Sequence, residues 1–352
     1  GDPYPSIIDG KVQWIIDGYT TSNNYPYAAR ISLRDATADS VNSQFTASPL
    51  SAGNITYIRN AVKATVDAYD GTVTIYAWDE ADPILQTWSK AFPGVVQPKS
   101  AIPAGVLEHI RYPEDMFKVQ RNVLSRYHVT DPQAFYSGQD FWIVPEDPTK
   151  PTAGQPQPPY FLTLQMPDQD APSFSLTSTF APTNRQTLAA FMSVNADAGD
   201  DYGTIRVLQL PRNTTIPGPR QVQNNFESDP EVSKQLSLLR SGGSDVQLGN
   251  LLSLPVGGGL LYFEPVYIRA AQGEGYPLLR KVLVSFGSKV AFEDDLETAL
   301  AKVFTGQTVL PDTPTEPGAP AAPVTTPAQD LAKAILDANK AYSDGVAALA
   351  AG

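Results

Sequence analysis

The chain has 352 residues, 37 acidic and 25 basic side chains giving a net charge of −12, and no cysteine. These values exclude disulfides, thiolate nucleophiles, zinc–thiolate sites and iron–sulfur clusters. Scattered Lys and Arg offer no continuous basic groove for nucleic acid and no attraction to anionic lipid headgroups.

The length suggests roughly two domains. No stretch approaches the roughly 20 apolar residues that cross a bilayer, and none has the layout of a signal peptide. In chain order, Ser6–Ile8 and Val12–Ile16 flank Asp9-Gly10, which predicts a β-hairpin because a type I′ turn requires positive φ at both central residues. A tyrosine-rich loop is expected over Tyr19–Tyr27, then a polar surface flap to Gly53. Asn54 reads as the cap of a helix to Ala68, with Ile55, Ile58, Val62 and Val66 on one stripe. Asp70-Gly71 leads into a strand over Thr72–Trp78, and Asp82-Pro83 starts a helix to Phe92. Helices follow over Pro103–Arg111 and Pro113–Tyr127, a short one from Asp131-Pro132, then a strand over Phe141–Val144. The run PEDPTKPTAGQPQPP, 145–159, is a loop or hinge.

Beyond it, strands are predicted over Tyr160–Met166, Ser173–Phe180, Leu188–Val194 and Thr204–Leu210. Asp229-Pro230 opens a helix to Arg240 that Gly242-Gly243 stops. Strands over Leu248–Leu254, Leu260–Ile268 and Leu279–Phe286 precede a helix over Glu293–Phe304. Strands in runs without regular helical crossovers give an α+β fold with mostly antiparallel sheets and flanking helices. The expected organisation is a mixed hairpin and helical part over 1–150, a sheet-rich part over 151–305 packed against it, a Pro-rich linker over 306–327 and an Ala-rich C-terminal helix over 328–352. That helix carries Leu331, Ile335, Tyr342, Val346 and Leu349 and needs a partner, because an isolated helix of this length is marginal in water.

No nucleophile-elbow, zincin or phosphate-loop motif is present. The two histidines, His109 and His128, each close a predicted helix, where a C-terminal imidazole complements the helix dipole. Gly257-Gly258-Gly259 precedes a β-rich run and reads as a turn or bulge. Two acidic loops hold candidate calcium ligands: Asp168 and Asp170 in one, Asp197, Asp200 and Asp201 in the other. The second lacks the later Glu and flanking helices of an EF-hand, and an acidic hairpin turn accounts for it more simply. Trp14, Tyr19, Tyr25 and Tyr27 are candidate wall residues of a sugar or lipid groove, since their rings combine apolar faces with polar edges. Asp79, Glu80, Glu108 and Glu114 are the carboxylates available to a hydrolase.

Five blocks carry a family resemblance: WIIDGYTTSNNYPY (14–27), YIRNAVKATVDAYDGTVTIYAWDEADPILQTW (57–88), HIRYPEDMFKVQRNVLSRYHVTDPQAFYSGQDFW (109–142), FLTLQMPDQDAPSFSLTSTFAP (161–182) and RSGGSDVQLGNLLSLPVGGGLLYFEPVYI (240–268). Together they resemble the extracytoplasmic C-terminal half of uncharacterised protein family 0182, large actinobacterial-type membrane proteins with several N-terminal transmembrane helices. The resemblance runs nearly unbroken to Phe304. It implies an envelope-facing region tethered to the membrane, starting internally at GDPYP, with the linker and last helix as a C-terminal extension. The family carries no established catalytic residues, so none is transferred.

The resulting expectation is a non-enzymatic extracytoplasmic domain that binds a ligand or partner in envelope assembly or transport, with no cofactor beyond a calcium ion. Its partners would be its own N-terminal transmembrane region, an envelope protein, lipid or glycan, or a second copy in a homo-oligomer. A carboxylate-dependent envelope hydrolase and a purely structural assembly domain are the alternatives.

Overall fold

A computed structural model of the chain describes residues 3–41, 53–150, 154–167, 169–183, 185–211, 215–241, 244–270 and 276–304. The linker and helix expected over 306–352, most of the flap before Gly53, Gly242-Gly243 and Asp168 lie outside the described residues.

The first sheet begins as expected. β1 (Tyr4–Ile8) and β2 (Lys11–Ser22) form a hairpin whose turn holds Asp9 at φ 50° and Gly10 at φ 74°. β2 then continues through Ser22, so Tyr19 belongs to a strand rather than to the predicted loop. A short ribbon pairs β3 (Ile31–Ser32) with β4 (Asn54–Ile55), and α1 (Leu33–Thr37) sits between them in sequence. The helix predicted from Asn54 is instead β4 and a long strand, β5 (Tyr57–Asp67), paired with β2 from Gln13–Asp67 to Ser22–Tyr57. The same residues satisfy two periods. Ile58, Val62 and Val66 mark a helical stripe, yet Ala61, Lys63 and Thr65 alternate inward against Val62, Ala64 and Val66. Strands on both sides of β5 decide for the second period.

β6 (Val73–Ala77) and β7 (Val96–Gln97) complete the sheet in the order β1-β2-β5-β6-β7, and α2 (Pro83–Ala91) lies between them in sequence, capped by Asp82. The helix predicted over Pro103–Arg111 is a single turn, α3 (Ala104–Leu107), while α4 (Glu114–Tyr127) and α5 (Pro132–Ser137) match expectation closely.

The second sheet centres on β10 (Ser173–Pro182). It pairs with β8 (Trp142–Ile143), β9 (Tyr160–Leu164) and β11 (Ala190–Asn195), and β12 (Ile205–Gln209) lies outside β11. Two helices follow, α6 (Pro219–Ser228) and α7 (Pro230–Ser241). The sequence reading missed α6, because its Gln- and Asn-rich surface leaves Val222 and Phe226 as its only large apolar side chains. The third sheet holds β13 (Ser244–Leu248), β14 (Leu252–Val256), β15 (Gly259–Ala270), β16 (Leu278–Phe286) and β17 (Lys289–Glu293), with α8 (Leu296–Phe304) packed on the last two. One predicted strand over Leu248–Leu254 is thus two, and Glu293, the start predicted for the last helix, is the final residue of β17. Every pairing is antiparallel except β6 with β7 among the described strands. The fold is α+β.

The largest apolar cluster joins the second and third sheets through α6 and α7, burying Phe191, Phe226, Tyr262 and Leu283. A second lies between α4 and the other side of the second sheet, around Phe117, Leu176 and Phe180. Inside the first interface Glu264 of β15 has no solvent exposure. Burial pushes its carboxyl up to about 8, with Glu227 and Asp147 adding to the rise and Gln223 opposing it. The Gln223 amide lies 3.2 Å from both carboxyl oxygens. A neutral acid fits this contact whichever way the amide points, donating to its oxygen or accepting from its N–H.

A carboxyl raised from an ordinary 4.5 to about 8 binds its proton more tightly in the native state than in the unfolded chain. Its stabilisation is complete below pH 4.5, declines as pH rises between the two values and levels off above about 8. The limiting slope is about 1.4 kcal/mol per pH unit. Urea denaturation across this range is expected to show that decline, and Glu264→Gln is expected to flatten it.

Candidate functional site

A single buried ammonium organises the junction of the first two sheets. On the inward face of the first sheet, Lys63 of β5 lies opposite Asp17 of β2 in register, and its Nζ donates to Asp17 Oδ1 at 2.5 Å. It also donates to the Arg111 carbonyl and to the Tyr202 hydroxyl, each at 3.1 Å. Tyr202 passes the chain on, donating to the same Arg111 carbonyl at 3.2 Å. Three acceptors match the three N–H donors of an ammonium. Burial draws Lys63 down from the ordinary lysine range, and Asp17 opposes that pull. Burial, followed by the Asp17 charge, drives the Tyr202 phenol up. The rings of Trp78 and Tyr202 lie over Nζ at 5.1 and 5.5 Å and add cation–π attraction.

Local sequence explains how these groups meet. The β2 ladder shifts register between Gly18 and Tyr19. Asp17 therefore faces Lys63, while Tyr19 packs toward the cluster around Phe117. Only glycine fits at position 18, since a Cβ there would lie 2.4 Å from Val62 Cγ2. The acidic stretch Asn195–Asp201 is a tight connection between β11 and β12. Asn195 Oδ1 accepts from Asp197 N–H, Asp197 Oδ2 accepts from Phe174 N–H, and the Gly199 carbonyl accepts from Tyr202 N–H. Its end delivers Tyr202 against Trp78 and Tyr112, with ring centroids 5.0 and 5.4 Å away.

Above this node opens a cleft of about 510 Å³. Trp78, Tyr112 and Tyr202 wall it, Ile58 and Met116 supply apolar lining, and Arg59, Asp79, Asn60 and Gln120 supply the polar groups. Arg59 pairs with Asp79 at 2.7 Å, and Gln120 Oε1 accepts from the Tyr112 hydroxyl at 2.9 Å. Asn60 donates its amide N–H groups to Asp17 and to backbone carbonyls of Gly18 and Val62. That fixes its orientation and leaves Oδ1 buried without a partner among the described residues.

The residues singled out by sequence fall elsewhere. Trp14 lies on the opposite face of the first sheet and Tyr19 faces the second core. Tyr25 stacks on Tyr57 at 5.9 Å, and Tyr27 is fully exposed. Among the described residues no three His, Cys, Asp or Glu side chains converge on a metal position, and Asp170, Asp197, Asp200 and Asp201 form no such group. Both histidines bind the carbonyl four residues back, His109 to Gly105 and His128 to Leu124, as helix-closing residues. His128 also meets the Asp140 carbonyl and stacks on Trp142, on the edge of a larger groove of about 860 Å³. Of the candidate carboxylates, Asp79 is ion-paired, Glu80 accepts from Lys99 N–H, and Glu114 lies 3.8 Å from Lys118. Trp78, Tyr112 and Tyr202 escaped the sequence reading because they are far apart in the chain and each sits in an ordinary local pattern.

Residues 1–239 match the uncharacterised protein family UPF0182. The chain belongs to that family. A UPF0182 protein of Streptomyces coelicolor is 51% identical over 354 residues, covering 99% of this chain and 35% of that protein. One from Clavibacter michiganensis is 54% identical, covering 90% of this chain and 34% of its own length, and one from Thermobifida fusca is 53% identical, covering 90% and 32%. The chain thus spans about a third of these UPF0182 relatives, all actinobacterial. No solved structure matches it. No described helix is long and apolar enough to cross a membrane.

Lys63→Met is expected to lower the free energy of unfolding by about 3–5 kcal/mol, because it strands Asp17 without a counter-charge. Adding Asp17→Leu is expected to recover part of that loss. Urea denaturation of the single and double variants checks both.

Proposed function

We propose that the chain is a non-catalytic, extracytoplasmic ligand-binding region of a cell-envelope membrane protein, with the aromatic cleft as its site and a neutral saccharide as its ligand. The observation that carries this reading is the cleft itself, walled by the rings of Trp78, Tyr112 and Tyr202 and flanked by the polar side chains of Arg59, Asp79 and Gln120. The C–H face of a sugar packs on such a ring while its hydroxyls meet the flanking polar groups. Arg59 and Asp79 neutralise each other at the rim, which favours an uncharged ligand over an ionic one. The histidines and cleft carboxylate are held in structural contacts, which favours binding over catalysis. The envelope setting rests on the family resemblance and on relatives about three times the length of the matched span, and the absence of cysteine suits an oxidising exterior.

Calorimetric titration of residues 1–352 with neutral envelope oligosaccharides is expected to give saturable binding. Gln120→Ala and Arg59→Ala are each expected to weaken it about tenfold, near 1.4 kcal/mol, without loss of fold by circular dichroism. Binding unaffected by both substitutions, or turnover of the bound sugar, would overturn the reading.

A further inference from the structure

The first sheet carries apolar side chains on both faces. Side chains alternate across a strand, and residues opposite each other in neighbouring strands share a face. The inward face buries Ile8, Ile15 and Tyr76 beside Asp17, Lys63 and Thr65. The outward face is apolar in row after row. Pro5, Trp14, Val66 and Val73 form one line across four strands. Ile16, Ala64, Ile75 and Val96 form the next, and Ile7 pairs with Val12 at the hairpin end. An antiparallel sheet with a solvated face places polar residues there. This one leaves Ile7 70%, Val73 58% and Trp14 40% exposed. α2 covers one end only, where Leu85 packs on Val62, Ala77 and Val96. The same helical stripe continues into Trp88 and Phe92, stacked at 5.7 Å and 57% and 55% exposed.

We infer that this face is a docking surface covered, in the full polypeptide, by an apolar segment of the same protein lying outside residues 1–352, laid beside α2. Four considerations select that occupant. The relatives keep only 32–35% of their length in the matched span, so most of the polypeptide lies elsewhere. Four strands ~4.8 Å apart span ~14 Å, about the width of one helix with its side chains. Such a strip offers a few hundred Å², short of the ~800 Å² each partner contributes to a standard two-protein interface. The net charge of −12 opposes an anionic lipid surface.

Hydroxyl-radical footprinting of Trp14 and Trp88, read by mass spectrometry, tests the assignment in residues 1–352 and in the full-length protein. Both rings are expected to oxidise in residues 1–352 at every concentration and to be protected in the full-length protein, in detergent and in bilayers alike. Val73→Glu is expected to leave the melting temperature of residues 1–352 unchanged and to restore oxidation of Trp14 in the full-length protein. Protection already present in dilute residues 1–352 would transfer the role to the chain's own 305–352 segment. Protection that grows with concentration would transfer it to a second copy, and protection found only in bilayers would transfer it to lipid. Any of these, or equal oxidation in both proteins, overturns the proposal.

Discussion

One ammonium sets the terms for this molecule. A lysine buried at 1% side-chain exposure is tolerable only if every N–H has an acceptor and the charge has a counter-charge. The fold supplies these from three separate places: Asp17 from the neighbouring strand, a carbonyl from the turn before α4, and a tyrosine hydroxyl from the loop between β11 and β12. Each requirement reaches into local structure. The register shift at Gly18 exists where Asp17 must face inward, and the short α3 leaves residue 111 outside a helix with its carbonyl free to accept.

A similar arrangement recurs along α4. Lys118 meets Asp39 at 2.5 Å, and Arg121 donates to the Gln157 carbonyl and Ser178 Oγ. Burial draws Arg121 down to about 10. Buried pairs of this kind contribute little net stability compared with apolar packing, but they penalise any arrangement that leaves a charge alone. They specify how the sheets and α4 meet more than they hold them there.

The hairpin at Asp9-Gly10, the caps at Asp82 and Asp131, and most strands of the second and third sheets were legible in the residues because their signals are local. The failures share a cause. Asn54–Asp67 offered both a helical and an alternating period, and only strands distant in sequence decide between them. Tyr19 looked like a loop residue because its strand is completed by β5, itself misread. The cleft was invisible for the same reason: Trp78, Tyr112 and Tyr202 meet through tertiary pairing, whereas Trp14, Tyr25 and Tyr27 stood out by being close together in the chain. The acidic loop was noticed for its carboxylates, yet its visible structural effect is to place the tyrosine that follows them.

The Lys63–Tyr202 bond spans 139 residues of chain, and that separation bears on the order of events during synthesis. Contacts this distant form late, since a long loop must close before they contribute. The strands of the first sheet therefore leave the ribosome well before the hydroxyl that completes the acceptor set of Lys63. A nascent chain paused before Tyr202 still lacks one of the three acceptors of the Lys63 ammonium, which ties completion of the first sheet's core to arrival of the segment that follows β11.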